Sequence, residues 1–152
     1  MPLRPASSPA VKEGIDKPVS ETTYRHLAGF RSEIRKFLNF SESAATALGV
    51  TTQQYQAILA IRAAAGREMS IKALSEELLL LPHGAVQLVD RLRRLGLVRR
   101  KQSQIDRRSV LVRLTPTGDR LVERLAAAHM RELSSHVAHL ETSVRRLKTA
   151  LR

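Results

Sequence analysis

The sequence predicts a mainly α fold: a winged helix-turn-helix lobe (three helices plus a β-hairpin wing), with N- and C-terminal helices forming an α-helical dimerisation region. Three stretches carry that expectation. In LLLLPHGAVQLVDRLRRLG (78–96), Pro82 suits the first turn of a helix and Gly96 its left-handed stop. LVRRKQ (97–102) and SVLVRL (109–114) are short, β-branched runs around a polar turn, as in a hairpin. From Asp119 onward there is neither Gly nor Pro, and Leu121, Leu125, Leu133, Val137, Leu140, Val144, Leu147 and Leu151 keep helical spacing.

Residues 1–20 are rich in Pro, Ser and Ala and read as a flexible tail. A helix over 21–48 follows, with Leu27, Phe30, Ile34, Phe37 and Leu38 expected on one buried face. Thr51 and Gln54 have capping-box spacing, opening a second helix with Tyr55, Ile58 and Leu59 inward. Ser70 can cap a short third helix carrying Ile71, Leu74 and Leu78. The helix from Pro82 should bury Ala85, Leu88, Val89, Leu92 and Leu95, turning His83, Gln87, Arg91 and Arg94 outward. Two helices joined tightly, the second with a basic outer face, form a helix-turn-helix.

Thr115-Pro116 is an N-cap followed by Pro at the first helical position. From Leu133 the apolar spacing is 4, 3, 4, 3, 4, a heptad-like seam. One helix over 116–151 would be ~54 Å long, more than a domain this small can cover. The expectation is therefore a break, with Ser134-Ser135 the candidate, together with packing on a second chain. The expected organisation is a 1–20 tail, a 21–48 dimerisation helix, a 51–115 DNA-binding lobe and 116–152 C-terminal dimerisation helices.

The 152 residues suit a single domain, and their charge narrows the function. Lys and Arg number 26 against 14 Asp and Glu, a formal +12. That excess favours a polyanion, nucleic acid before an anionic membrane surface. Cysteine is absent, which removes disulfides, thiolate metal sites and thiol redox sensing. No apolar run approaches the roughly 20 residues of a membrane span, and the amino end lacks a secretory apolar stretch, so a cytoplasmic protein is expected. No Gly-rich phosphate loop, zincin motif or cysteine nucleophile points to an enzyme, and no cofactor is implied. Between Pro82 and Leu114 nine basic residues (Arg91, Arg93, Arg94, Arg99, Arg100, Lys101, Arg107, Arg108, Arg113) face only Asp90 and Asp106, a net +7. The excess sits on the helix and hairpin that such a lobe presents to DNA.

LVDRLRRLGLVRR followed by DRRSVLVRLTPTG resembles the MarR family of winged helix-turn-helix regulators. The matching positions are Leu92, Gly96, Leu97, Val98, Arg100, Asp106, Arg108, Leu114, Thr115 and Gly118. The resemblance implies a homodimer joined by its terminal helices, which binds a palindromic operator in double-stranded DNA and usually represses transcription. It also implies a small-molecule effector pocket between the dimer helices and the DNA-binding lobe. By the same analogy Arg108 enters the minor groove and Asp106 orients it, leaving Arg107 for a phosphate. The chemistry is apt: a narrow minor groove attracts arginine, and a carboxylate can hold a planar guanidinium. Either arginine could point into the groove on sequence alone. The helix start departs from the family pattern, with Pro82-His83-Gly84-Ala85-Val86 in place of small hydroxyl residues. His83 and Gln87 are then the base-edge candidates, and Arg91 and Arg94 complete the DNA-binding set.

The few aromatic residues cluster in the first two helices, making Phe30 and Tyr55 candidates for the ligand pocket, although core packing explains them more simply. His129, His136, His139 and Glu132 could serve a metal-responsive regulator, but isolated surface histidines on a helix are commoner. Two further alternatives are a winged-helix protein-interaction module and a membrane-surface helix basic at Arg145, Arg146, Lys148 and Arg152. The first has no need for Asp106 and Arg108 at a hairpin tip, and the heptad seam fits a dimer better than the second.

Overall fold

In a computed structural model, the protein is described over residues 18–106 and 108–150. Among these residues five α-helices and three strands follow in order, with a 3-10 turn (Ala65–Arg67) before β1: α1 (Glu21–Ala47), α2 (Thr52–Ala63), β1 (Glu68–Ser70), α3 (Ile71–Glu77), α4 (Pro82–Arg94), β2 (Val98–Gln102), β3 (Val110–Leu114) and α5 (Pro116–Ala150). Most boundaries lie where local chemistry puts them. Ser20 accepts from the Thr23 N–H at α1, and Ser70 from the Ala73 N–H at α3. Thr51 and Gln54 form the reciprocal capping box of α2. Gly96 takes φ +68° after α4, which stops that helix and turns the chain into β2.

The hairpin β2–β3 pairs Val98 with Leu114 and Gln102 with Val110. β1 adds to it antiparallel, Glu68 opposite Arg113, giving the order β1-β3-β2. The expected β2–β3 hairpin wing is present, and β1 extends it to three strands. One core joins all layers: Ile58 and Ile61 of α2, Leu74 of α3, Leu88 and Leu92 of α4, Val112 of β3, and Val122 and Leu125 of α5. Among the described residues no helix is long and apolar enough to cross a membrane.

The structure corrects several expectations. α5 runs unbroken for 35 residues, ~52 Å. Ser134 and Ser135 do not interrupt it, because their hydroxyls donate to the carbonyls of Met130 and Glu132 within the same helix. The α1 stripe is only partly covered: Leu27, Ile34 and Leu38 are exposed, and Ser41 and Ala45 are the buried positions. Leu59 and Leu95 are likewise exposed, Leu95 because it is the C-cap of α4, where the chain turns away from the core.

His129 is the largest departure. It is 6% exposed, not a surface histidine. Nδ1 lies 2.7 Å from the Leu125 carbonyl, and Nε2 lies 2.9 Å from Ser41 Oγ. The carbonyl can only accept, so Nδ1 carries the proton, and in the neutral ring Nε2 accepts from Ser41. Phe37 and Phe40 meet the imidazole edge-to-face, while Tyr55 lies over it at 4.6 Å and 30°. One polar ring therefore joins α1, α2 and α5.

Candidate nucleic-acid interface

The candidate surface begins with how α4 starts. Leu81 is its N-cap and offers no side-chain acceptor, Pro82 has no N–H, and the first helical bond closes from the Ala85 N–H to the Leu81 carbonyl. Ala85, Leu88, Val89 and Leu92 are buried against the core. The other side carries His83, Gln87, Arg91 and Arg94, all exposed, as the spacing of three and four requires. Asp90 on this helix binds Arg100 of β2 at 2.8 Å, fastening the helix to the wing.

The tip between β2 and β3 is a built turn. Ser103 is buried, and its Oγ accepts from the N–H groups of Ile105 and Asp106, both at 3.2 Å. The Ser103 N–H donates to the Ser109 carbonyl, and the Ser109 N–H to the Asp106 carbonyl. Asp106 Oδ1 accepts the backbone N–H of Arg108 at 2.9 Å, an Asx-type turn. Asp106 thus acts on the Arg108 main chain, and the Arg108 side chain is exposed. Ser103 was not singled out from sequence, although a Ser opening a polar turn is a signal of this kind. Arg107 lies outside the described residues.

The basic segment is partly neutralised. Arg113 pairs with its register partner Glu68 at 3.5 Å, and Arg100 with Asp90. Among the described residues, Arg91, Arg93, Arg94, Arg99, Lys101 and Arg108 have no carboxylate within ion-pair distance, so the unpaired charge concentrates on α4 and the hairpin.

The other candidate sites resolve differently. Tyr55 is buried against His129, and burial raises its phenol above the ordinary range. Phe30 is half-buried on α1. Neither lines the cleft of about 530 Å³ between α2 and α5, whose apolar wall is Leu59, Val122, Ala126, Ala127 and Met130. At its rim Arg62 and Arg67 both pair with Asp119 Oδ1, at 3.2 and 3.1 Å. Glu132 and His136 face each other at 3.3 Å, and no group of three metal-ligating side chains comes together among the described residues.

Residues 48–109 match the family model described as MarR family. The match covers the helix-turn-helix and the start of the wing, and there the chain is similar to the MarR family. Solved structures agree along nearly the whole chain. AbsC, a MarR family transcriptional regulator from Streptomyces coelicolor, superposes with TM-score 0.72 at 20% identity, covering 90% of this chain and 93% of that one. The multiple antibiotic-resistance repressor MarR from Listeria monocytogenes gives 0.65 at 25% identity, over 88% and 94%. A mutant E. coli MarR complexed with operator DNA gives 0.61 at 25%, over 77% and 89%. No curated protein sequence matches the chain. The match runs from α2 through β2 to the hairpin tip, and so includes α4 and the wing residues where the unpaired charge concentrates. The match and these structures together give the protein the winged-helix fold of MarR family transcriptional regulators.

Proposed function

We propose that this MarR-family protein is a homodimeric repressor that binds a palindromic operator in double-stranded DNA. The observation that carries this is the concentration of unpaired cations on α4 and the wing of the lobe that matches the family. In this reading α4 enters the major groove. His83 and Gln87 meet base edges, and Arg91 and Arg94 meet phosphates or bases. Arg108 enters the minor groove, with Asp106 fixing the turn that aims it, and Arg107 meets a phosphate. Two chains join through α1 and α5, whose Leu27, Ile34, Leu38, Val137 and Val144 are exposed in a single chain.

The test is affinity for genomic DNA fragments retained by the pure protein, measured across a salt series. Neutralising Z phosphates gives a slope near −0.9Z, so about eight contacts per dimer lower affinity by orders of magnitude between low and moderate salt. A flat salt response defeats the DNA reading. A monomeric mass by light scattering defeats the dimer and, with it, the palindrome. Arg108→Ala should weaken operator binding sharply with fold and mass unchanged. Asp106→Ala should weaken it too, although it removes a negative charge from a DNA-facing surface. Tighter binding by Asp106→Ala would show that the turn does not aim the arginine.

A small-molecule response is supported by one specific feature, the α2–α5 cleft. Its apolar wall and two guanidinium groups suit an anionic ligand with an apolar body, whose charge would compete with Asp119 for Arg62 and Arg67. Titration calorimetry with a panel of such anions tests it, and Arg62→Ala should abolish any binding seen.

A further inference from the structure

We propose that Val86 is a specificity-determining residue that reads thymine C5-methyl groups in the major groove. The inference rests on the DNA-binding role proposed above and assigns part of the base readout to a side chain without polar atoms.

Val86 lies three residues after His83 and one before Gln87, within the same outward arc of α4. It is 40% exposed, while its neighbours Ala85, Leu88 and Val89 on the other side are buried in the core. A lone exposed valine needs no explanation on an ordinary surface. This one is set among His83, Gln87, Asp90 and Arg94, and each of those carries polar groups that DNA can engage. Asp90 is already held by Arg100, so it leaves the arc to the other side chains.

The major groove offers hydrogen-bonding edges and one apolar feature, the methyl of thymine. A valine pressed there gains nothing from a phosphate and strips water from a cytosine amino group without replacing its hydrogen bond. Against thymine it covers a methyl instead. Being β-branched on a helix, Val86 holds essentially one rotamer, so its methyls sit at a fixed position relative to the Gln87 amide. The two neighbouring side chains can then read adjacent base pairs, Gln87 an adenine edge and Val86 a thymine methyl.

The experiment uses the operator recovered from retained genomic fragments. Each thymine is replaced in turn by deoxyuridine, which removes the methyl and keeps every hydrogen-bonding group. With wild-type protein, one thymine per half-site should show a loss of about fourfold, the value of one buried methyl group. Replacement in both half-sites should give about sixteenfold. Val86→Ala, which changes only an exposed position of a well-packed helix, should bind the two operators equally. Where the thymine is exchanged for cytosine, 5-methylcytosine should recover part of the loss.

Wild-type affinity unmoved by deoxyuridine at every thymine overturns the inference, as does a Val86→Ala protein that keeps the wild-type preference. Steep salt dependence beside either result shows that the DNA-binding reading survives and only the role of Val86 fails. No duplex binding at any salt overturns both.

Discussion

Gly118 and Gly29 are both helical glycines, and the structure assigns their alanine variants opposite signs. Gly118 lies in the first turn of α5, buried, where the helix start presses on the β2 entrance. A Cβ built there would run into the Leu97 carbonyl, and that carbonyl is not free to move. It accepts the Thr115 N–H at 3.0 Å, and Thr115 Oγ1 donates to the neighbouring Gly96 carbonyl at 2.6 Å. Overpacking costs about 1–3 kcal/mol, a displaced hydrogen bond about 1 more, and the helix preference for alanine returns about 1. Gly118→Ala should therefore destabilise by ~1–3 kcal/mol, a fall in Tm of roughly 2–12 °C for a chain of this size. Gly29, inside α1, has open space at its Cβ, so Gly29→Ala should raise stability by about 0.5–1 kcal/mol. Thermal unfolding followed by circular dichroism at matched protein concentration measures both. Equal shifts in the same direction would refute the assignment of Gly118 to close backbone approach.

Other consequences follow from single residues. Leu79 occupies a left-handed position (φ +53°) after α3 and is 93% exposed, so Leu79→Gly should raise stability by up to about 1 kcal/mol; a loss in urea unfolding would mean that the leucine packs on something. His129→Phe and Ser41→Ala each leave one buried polar partner unsatisfied and should cost about 1–3 kcal/mol, whereas the double variant should cost less than their sum, and strict additivity would deny the bond between them. Tyr55 is held above the ordinary phenol value near 10, so it favours folding below that pH and the contribution is lost as pH rises through the raised folded value. In Tyr24→Phe protein, ultraviolet titration reports Tyr55 alone, and a midpoint at or below about 10 would contradict its burial.

What could be read from the sequence was mostly what is decided locally. Ser70, the Thr51–Gln54 box, Pro82 and Gly96 each act on backbone groups within a turn of themselves, so their elements begin or end where the residues indicate. The exposed polar face of α4 was legible for the same reason, since His83, Gln87, Arg91 and Arg94 share a face through helical spacing alone. What was not legible depends on partners distant in sequence. β1 is three residues long, too short for a periodic signal, and exists through its pairing with β3. The pairing of Arg113 with Glu68 needs that register, so the basic segment looked more exposed than it is. His129 follows Leu125 by four residues and falls on the buried stripe, but only Ser41, 88 residues away, gives the ring a polar partner there. At the wing tip, sequence named Asp106 and Arg108 without showing that the carboxylate takes the main-chain N–H.

The unbroken α5 gives the molecule a mechanical property. The helix is fastened at its root, where Thr115 and Gly118 meet the Gly96–Leu97 backbone, and no bend interrupts it before Ala150. It is a lever ~52 Å long, so a swing of about 5° at the root moves the far end by ~4.5 Å. Read in reverse, a sideways shift of that size imposed at Val144–Ala150 rotates the whole lobe, and α4 with it, by about the same 5°. In the proposed dimer this would matter, because successive major-groove faces of DNA recur every ~34 Å, a spacing with little slack for two rigid lobes. The serine hydroxyls at 134 and 135, turned back onto their own helix, help keep that lever stiff.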